Sequence, residues 1–179
     1  MFLCACSSIN AQDNSSDEQQ DFYVLLSNLL KLNSMDYTYT DSDGKKHPDR
    51  LKAFKDLERI YIKNIEADMP NEMFSSKRLK IVMYFSYYSK ISNSAALLEY
   101  LAADLKPIYS ANKETFLEIL RELPFLLPSN CERLGAYFGH EGKNEEKEKQ
   151  FVKNNKSIFS KYLGVEQASQ CIKYIHSDN

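Results

Sequence analysis

The three histidines are among the side chains of this sequence that most readily bind metals or transfer protons. His47, His140 and His176 lie far apart, and none has a second ligand at the i, i+4 spacing that lets one helix bind zinc. We therefore expect three solvent-exposed histidines, no metal site and no cofactor.

Cys131 and Cys171 are the two cysteines that lie outside the first eleven residues. In an oxidising compartment an even pair predicts a disulfide, and closing a loop of about 40 residues would stabilise the fold by about 4 kcal/mol. Two separate buried thiols are the alternative. Thiol catalysis by Cys131 with His140 as base competes with the simpler disulfide, so we do not expect it.

A run of carboxylates is the other candidate for catalysis. Glu114, Glu118 and Glu122 follow one another at intervals of one helical turn. General acid and base catalysis needs two carboxylates in different environments around a cleft, whereas these lie beside Lys113 and Arg121, as on a solvated helix face. The sequence also lacks a serine nucleophile elbow, a phosphate-binding glycine loop and a dinucleotide fingerprint, so it favours a protein that is not an enzyme.

The segment after residue 36 contains a partial match to a calcium-binding loop. Asp41, Asp43 and Gly44 fit three positions of an EF-hand loop. The alignment then puts Tyr39 at the first ligand position and Arg50 at the last, where acidic ligands are needed. Turn formation explains these residues better than calcium binding does.

The twelve tyrosines are the most unusual feature of the composition. Tyrosine supplies a large contact area at low cost in side-chain entropy, so tyrosines can line a groove that binds another protein. The alternative is core packing in which each hydroxyl group reaches a hydrogen-bond partner. The candidates for such a groove are Tyr84, Tyr87, Tyr88, Tyr100 and Tyr109.

The element expected to position these side chains is the segment Leu79–Ile91. On a helix of 3.6 residues per turn, its apolar and aromatic residues cover nearly the whole circumference, which is typical of a helix surrounded by others. The segment is shorter than the roughly 20 apolar residues needed to span a bilayer and contains Lys80. We therefore predict that it is the central helix of a helical domain.

Composition supports an all-helical domain. The chain has 179 residues with only five glycines, five prolines and no tryptophan. We expect a mostly α fold over 18–179, either an irregular multi-helix bundle or a short α-α superhelix of about seven to eight helices, with a small β-hairpin near 36–47. The net charge of −2 is spread along the chain, so nucleic acid is not an expected partner.

Four residues are expected to end or begin helices. Pro107 should end or kink the helix that starts at residue 95, and Gly164 should end the long helix near the C-terminus. Asn112 and Asn130 should act as N-caps of the helices that follow them.

Residues 1–11 differ in character from the rest of the chain. They are apolar and then small, and the polar segment 12–17, which we expect to be a flexible lead-in, follows. This is typical of the end of a secretory signal peptide cleaved after Ala11. Alternatively, Leu3–Cys6 resembles a bacterial lipobox, in which Cys6 would be acylated and would be the only link to a membrane. A short apolar N-terminus of a cytosolic protein is the third interpretation.

These patterns lead to one functional hypothesis and two rivals. We expect an exported helical protein, periplasmic or anchored to the outer membrane of a bacterium, that binds a partner protein as an adaptor, inhibitor or immunity-type factor. One rival is a hydrolase of the cell envelope with a site dispersed in sequence. The other is a lipoprotein with a structural role.

Overall fold

The computed structural model describes residues 18–28, 48–66, 73–92, 95–140 and 144–178, and these form an all-α, multi-helix fold. No strand occurs among the described residues; the hairpin predicted near 36–47 and the segments 1–11 and 12–17 lie outside them. The helices are α1 (18–28), α2 (Pro48–Tyr61) with a π-helical turn (Ile62–Glu66), α3 (Ser76–Ser92), α4 (Ala95–Ala111), α5 (Lys113–Glu122), α6 (Leu127–His140) and α7 (Glu145–Ile175). Short 3-10 turns cover Pro124–Leu126 and His176–Asp178.

Helix α3 is the central helix, as its all-round apolar pattern predicts. It contacts α4, α5, α6 and the π-helical turn. Its fully buried apolar side chains come from both sides of the helix: Leu79, Ile81, Val82, Met83 and Phe85. Among the described residues, none of the helices combines the length and the apolar character needed to cross a membrane.

Of the two outcomes predicted for Pro107, an end of α4 is wrong, because the helix continues to Ala111. An internal proline removes one backbone hydrogen bond and costs about 3 kcal/mol. The next two side chains, Ile108 and Tyr109, are 2% and 0% exposed. Burying each contributes roughly 1.5–3 kcal/mol, which offsets the cost of carrying the helix past Pro107.

The two asparagines predicted as N-caps have different roles. The Asn112 side chain makes no capping hydrogen bond. Its Nδ2 donates to the Ile108 carbonyl at 2.9 Å and its Oδ1 accepts from the Phe74 backbone N–H at 2.7 Å, so it links two segments. Asn130 lies inside α6, where its Nδ2 donates to the Leu126 carbonyl at 2.8 Å and the Met83 carbonyl at 3.2 Å. Both asparagines are buried, and both satisfy backbone carbonyl groups in the core.

Helices α6 and α7 form a closely packed pair. The Sγ atoms of Cys131 and Cys171 are at disulfide distance, and their Cα atoms are 5.3 Å apart. This agrees with the disulfide predicted between them. One helical turn further along each helix, Gly135 lies against the backbone of Ile175. The two helices therefore meet through a covalent link and a backbone contact on the same face.

The prediction that Gly164 ends a helix is confirmed. Gly164 has φ +77° and ψ 168°, which breaks α7 into two helical segments. Residues with a Cβ atom rarely adopt this conformation, because the side chain clashes with the backbone. The break separates the segment that contains Phe159 from the segment that contains Cys171.

We expect Gly164→Ala to destabilise the protein by about 1–3 kcal/mol, through backbone strain alone. Crowding does not contribute, because an added Cβ would have no atom within 4 Å. Urea denaturation measures the change. The matched control is Gly139→Ala, which also adds a Cβ in open space but at a residue of α6 without positive φ; we expect it to gain about 0.5–1 kcal/mol. Equal stabilities of the two variants would contradict the strain argument.

Candidate protein-binding surface

The structure separates the five candidate groove tyrosines into buried and accessible residues. Tyr109 is fully buried and packs against Phe116, Phe151 and Phe159, with ring centroids 5.4, 5.7 and 6.1 Å away. Its hydroxyl group donates to Asn155 Oδ1 at 2.9 Å. Burial raises the pKa of Tyr109, so this phenol stays protonated as a hydrogen-bond donor. Tyr109 therefore serves the core.

Tyr88 and Tyr100 differ sharply in exposure. Tyr88 is only 5% exposed and belongs to the core. Tyr100 is 61% exposed, and its ring lies 6.2 Å from that of Tyr61. Tyr61 in turn donates a hydrogen bond of 2.6 Å to Asp104.

Tyr84 and Tyr87 meet at the surface in a cluster of four aromatic side chains, which we call the aromatic patch: Phe22, Tyr84, Tyr87 and Phe125. The ring of Phe125 lies 5.8 Å from Tyr84 and 5.3 Å from Tyr87, both edge to face. Phe22 lies 5.5 Å from Tyr84 in the same arrangement. Phe125 is 46% exposed, whereas the other three are half-buried. The patch thus presents one accessible ring supported by others.

Three elements position the patch: α3, the 3-10 turn before α6, and α1, which carries Phe22. Tyr84 and Tyr87 are three residues apart on α3, so they share one face of the helix. Phe125 lies on the 3-10 turn between α5 and α6, which begins at Pro124. The next residue, Leu126, is fully buried, and its N–H donates to the Leu123 carbonyl at 3.0 Å. This anchored turn holds Phe125 in place and leaves its ring accessible to water.

The tyrosines of the patch can also form hydrogen bonds. Burial, and then the neighbouring Tyr87, raise the pKa of Tyr84 above its usual value of 10. The Tyr84 phenol is therefore neutral near pH 7 and retains its O–H donor. Such a surface combines apolar area with a polar group, which is the composition favoured at the centres of protein interfaces.

An ion-paired aspartate fixes α1, and with it Phe22, to the last turn of α2 and the π-helical turn that follows it. Asp21 is only 3% exposed. Its carboxylate lies 2.9 Å from Lys63 Nζ and 3.3 Å from Arg59 Nη1, and it accepts a 3.2 Å hydrogen bond from Asn64 Nδ2. Burial by itself raises the pKa of Asp21. The hydrogen bonds from Lys63 and Asn64 and the nearby positive charges outweigh it, so the net pKa lies below 3.8.

We expect acid to weaken this attachment. Because the pKa of Asp21 is lower in the folded state than in the unfolded state, its contribution is present above the unfolded pKa and is lost as the pH falls through the folded pKa. Asp21→Asn should lower the free energy of unfolding by about 1–3 kcal/mol at pH 7. The difference in unfolding free energy between the variant and wild type should shrink as the pH is lowered. Urea denaturation across the acid range measures both effects.

The control for the Asp21 prediction is Asp56→Asn. Asp56 pairs with Lys52 at 3.4 Å on the surface of α2, and an exposed pair of this kind contributes about 0–1 kcal/mol. A penalty for Asp21→Asn no larger than that for Asp56→Asn, or one independent of pH, would contradict the role of Asp21.

Sequence reasoning identified Tyr84 and Tyr87 but missed Phe22 and Phe125. Phe22 occurs in a regular amphipathic pattern, which predicts a core residue at this position. The sequence signal for Phe125 was its position directly after Pro124, in a short connection between helices. Binding residues often lie on such connections, so a large aromatic side chain there indicates a contact role.

Other chemistry-bearing residues form no catalytic arrangement among those described. Within that part of the chain, no three histidine, cysteine or acidic side chains converge as a metal site. His176 is exposed, as expected, and its Nδ1 pairs with the buried Glu148. Glu114, Glu118 and Glu122 are exposed, and Cys131 is at disulfide distance from Cys171. His47, the side chain of His140 and the loop around Asp41 lie outside the described residues.

Comparison with known proteins adds no relative. No protein-family model, no curated protein and no solved structure matches this chain.

Proposed function

We propose that this protein acts by binding a partner protein through the aromatic patch. The observation that carries the proposal is the 46% exposure of Phe125 on a turn anchored by Leu126 and supported by Tyr84 and Tyr87. Rigid aromatic side chains at a surface are typical anchors of protein interfaces, because they lose little entropy on binding. The chemistry fits an adaptor, inhibitor or immunity-type factor.

We place this activity outside the cytosol of a bacterium. The cysteine pair at disulfide distance favours an oxidising compartment, and the pattern of residues 1–11 favours export. A mature N-terminus at Gln12 would fit a periplasmic protein, whereas an acylated Cys6 would fit an anchored one.

We further propose an irregular bundle rather than an α-α superhelix. In a superhelix each repeat contacts only its neighbours. Here α6 packs against α3, α4 and α7, and α3 also contacts α5. Packing of this kind holds the turn with Phe125 against α3, so the patch should be preorganised for binding.

The test is affinity capture from an envelope extract of the native host with three baits: wild type, Phe125→Ser and Tyr100→Ser. We expect wild type and Tyr100→Ser to retain the same stoichiometric protein, and Phe125→Ser to bind it about 30-fold more weakly, the loss expected for an interface anchor. Tyr100 is a matched control because it is more exposed than Phe125 and lies outside the patch. Equal retention by all three baits would contradict the proposal.

A further inference from the structure

Between residues 79 and 89, α3 reaches the surface through a single line of side chains. Lys80, Tyr84 and Tyr87 are half-buried, and every other residue of this stretch is buried. The spacing of these residues is i, i+4 and i+7, so they follow one face of the helix. The face that carries the two tyrosines of the aromatic patch therefore continues, one helical turn before Tyr84, into a lysine.

Lys80 brings a positive charge to the edge of the patch, and no acid of the described residues pairs with it. Lys90, one turn after Tyr87, lies at the other end of the same face. Its Nζ is paired with the carboxylate of Glu132 on α6. The fold thus neutralises the lysine at one end of this face and leaves the charge of Lys80 to be met from outside.

The stability of α3 does not explain a positive charge at this place. The N-terminus of a helix carries a partial positive charge, so acids are favoured in its first turn. The first turn of α3 contains no acid. Glu18 of α1 lies at this end, but its carboxylate accepts a 2.5 Å hydrogen bond from Ser75 Oγ. The helix dipole therefore adds to the positive potential around Lys80, and no acid of the same turn offsets it.

A positive charge beside an accessible aromatic ring indicates what the partner presents to the patch. Complementary charges at the edge of an interface speed association and exclude wrong partners, whereas like charges placed together oppose binding. The residues from Lys80 to Tyr87 span about 10 Å along the helix, so one short segment of a partner reaches both the lysine and the rings. Such a segment needs apolar side chains for the rings and an acid for Lys80.

We propose that the aromatic patch binds an acidic segment of the partner protein, in which apolar side chains cover the ring of Phe125 and a carboxylate pairs with Lys80. The inference rests on the proposed function and adds the chemistry of the partner to it. The rings supply most of the affinity, as buried aromatic anchors do at interfaces. The charge of Lys80 selects among the partners that have a suitable apolar surface.

The test selects a phage library of random peptides on wild type and on Phe125→Ser. Peptides that are enriched on wild type alone bind at the patch, and we expect them to combine a net negative charge with aromatic or large aliphatic residues. A synthetic copy of the most enriched peptide then measures the affinity of each variant. Lys80→Glu should bind it at least about tenfold more weakly than wild type, because like charges then face each other.

The matched control is Lys153→Glu. It makes the same change of charge at an exposed lysine of α7, a helix that carries no residue of the patch. We expect its affinity for the peptide to equal that of wild type. Lys80→Gln removes the charge without reversing it and should weaken binding about threefold, as expected for one solvent-accessible ion pair. High salt should weaken peptide binding to wild type more than to Lys80→Gln.

Thermal unfolding of each variant verifies that it folds. Peptides that depend on Phe125 but carry no net negative charge would overturn this inference and leave the proposed function standing. The same holds if Lys80→Glu binds as tightly as wild type, or if Lys153→Glu loses as much affinity as Lys80→Glu. A selection that yields no peptide dependent on Phe125 would overturn both the inference and the proposed function.

Discussion

Replacing both Cys131 and Cys171 by alanine should lower the free energy of unfolding by about 4 kcal/mol. The cysteines are 40 residues apart, and in the chain-entropy model a link across a loop of this length removes that much freedom from the unfolded chain. Domains of this size have stabilities of about 5–15 kcal/mol, so the loss is a large part of the total. Urea denaturation of wild type and the double variant measures it.

Two controls separate the disulfide from the packing of its sulfur atoms. Wild type unfolded and refolded with a reductant keeps both side chains but loses the link, and it should show most of the same destabilisation. The mass of the oxidised protein should lie two hydrogen atoms below that of the reduced protein. A free-thiol mass in protein isolated without reductant, or a loss under about 1 kcal/mol, would contradict the disulfide as a major source of stability.

Gly135→Ala should lower the free energy of unfolding by at least about 3 kcal/mol, which is the upper end of the usual range for overpacking. An added Cβ would lie 2.0 Å from the carbonyl oxygen of Ile175 and 2.8 Å from its carbonyl carbon. These are backbone atoms, so no side-chain rotation relieves the clash, and α7 would have to move away from α6. The Cys131–Cys171 link one turn earlier opposes that movement.

Gly139→Ala is the matched control, since it adds the same methyl group one turn later in α6 where nothing lies within 4 Å. It should raise the free energy of unfolding by about 0.5–1 kcal/mol. A double-mutant cycle adds a sharper test: Gly135→Ala should cost less in the background without the disulfide, because the helices can then separate. Equal stability of Gly135→Ala and Gly139→Ala would contradict the close approach of the two helices.

The parts of the fold that could be predicted from sequence are those that depend on local patterns. The all-round apolar segment Leu79–Ile91 predicts a central helix because burial on every side is the only way to remove such a surface from water. Gly164 predicts a helix end because glycine alone adopts its backbone conformation readily. The pairing of Cys131 and Cys171 follows from the presence of two cysteines outside the N-terminal segment.

The parts that could not be predicted depend on residues distant in sequence. The Asn130 side chain donates a hydrogen bond to the Met83 carbonyl, 47 residues away in sequence. Its role in the core therefore cannot be predicted from the residues next to it. The continuation of α4 past Pro107 requires the burial of Tyr109 by side chains from α5 and α7. A local rule therefore gave the wrong end for this helix because tertiary packing outweighed it.

The candidate site also has parts that could be predicted from sequence and parts that could not. The presence of twelve tyrosines predicts that some of them contact a partner protein, but it does not indicate which ones. Tyr84 and Tyr109 each directly follow an apolar residue, Met83 or Ile108, and only the packing of the helices leaves Tyr84 half-buried and buries Tyr109 completely. Phe125 could not be assigned because its exposure depends on how the turn after Pro124 lies against α3.

The most direct measurement of the central claim is photo-cross-linking in the native host with a benzophenone amino acid in place of Phe125. The same amino acid in place of Val165, which is 82% exposed and remote in sequence from the patch, is the control. We predict one discrete covalent adduct from position 125 and none of the same mass from position 165. An adduct from both positions, or from position 165 alone, would contradict binding through the aromatic patch.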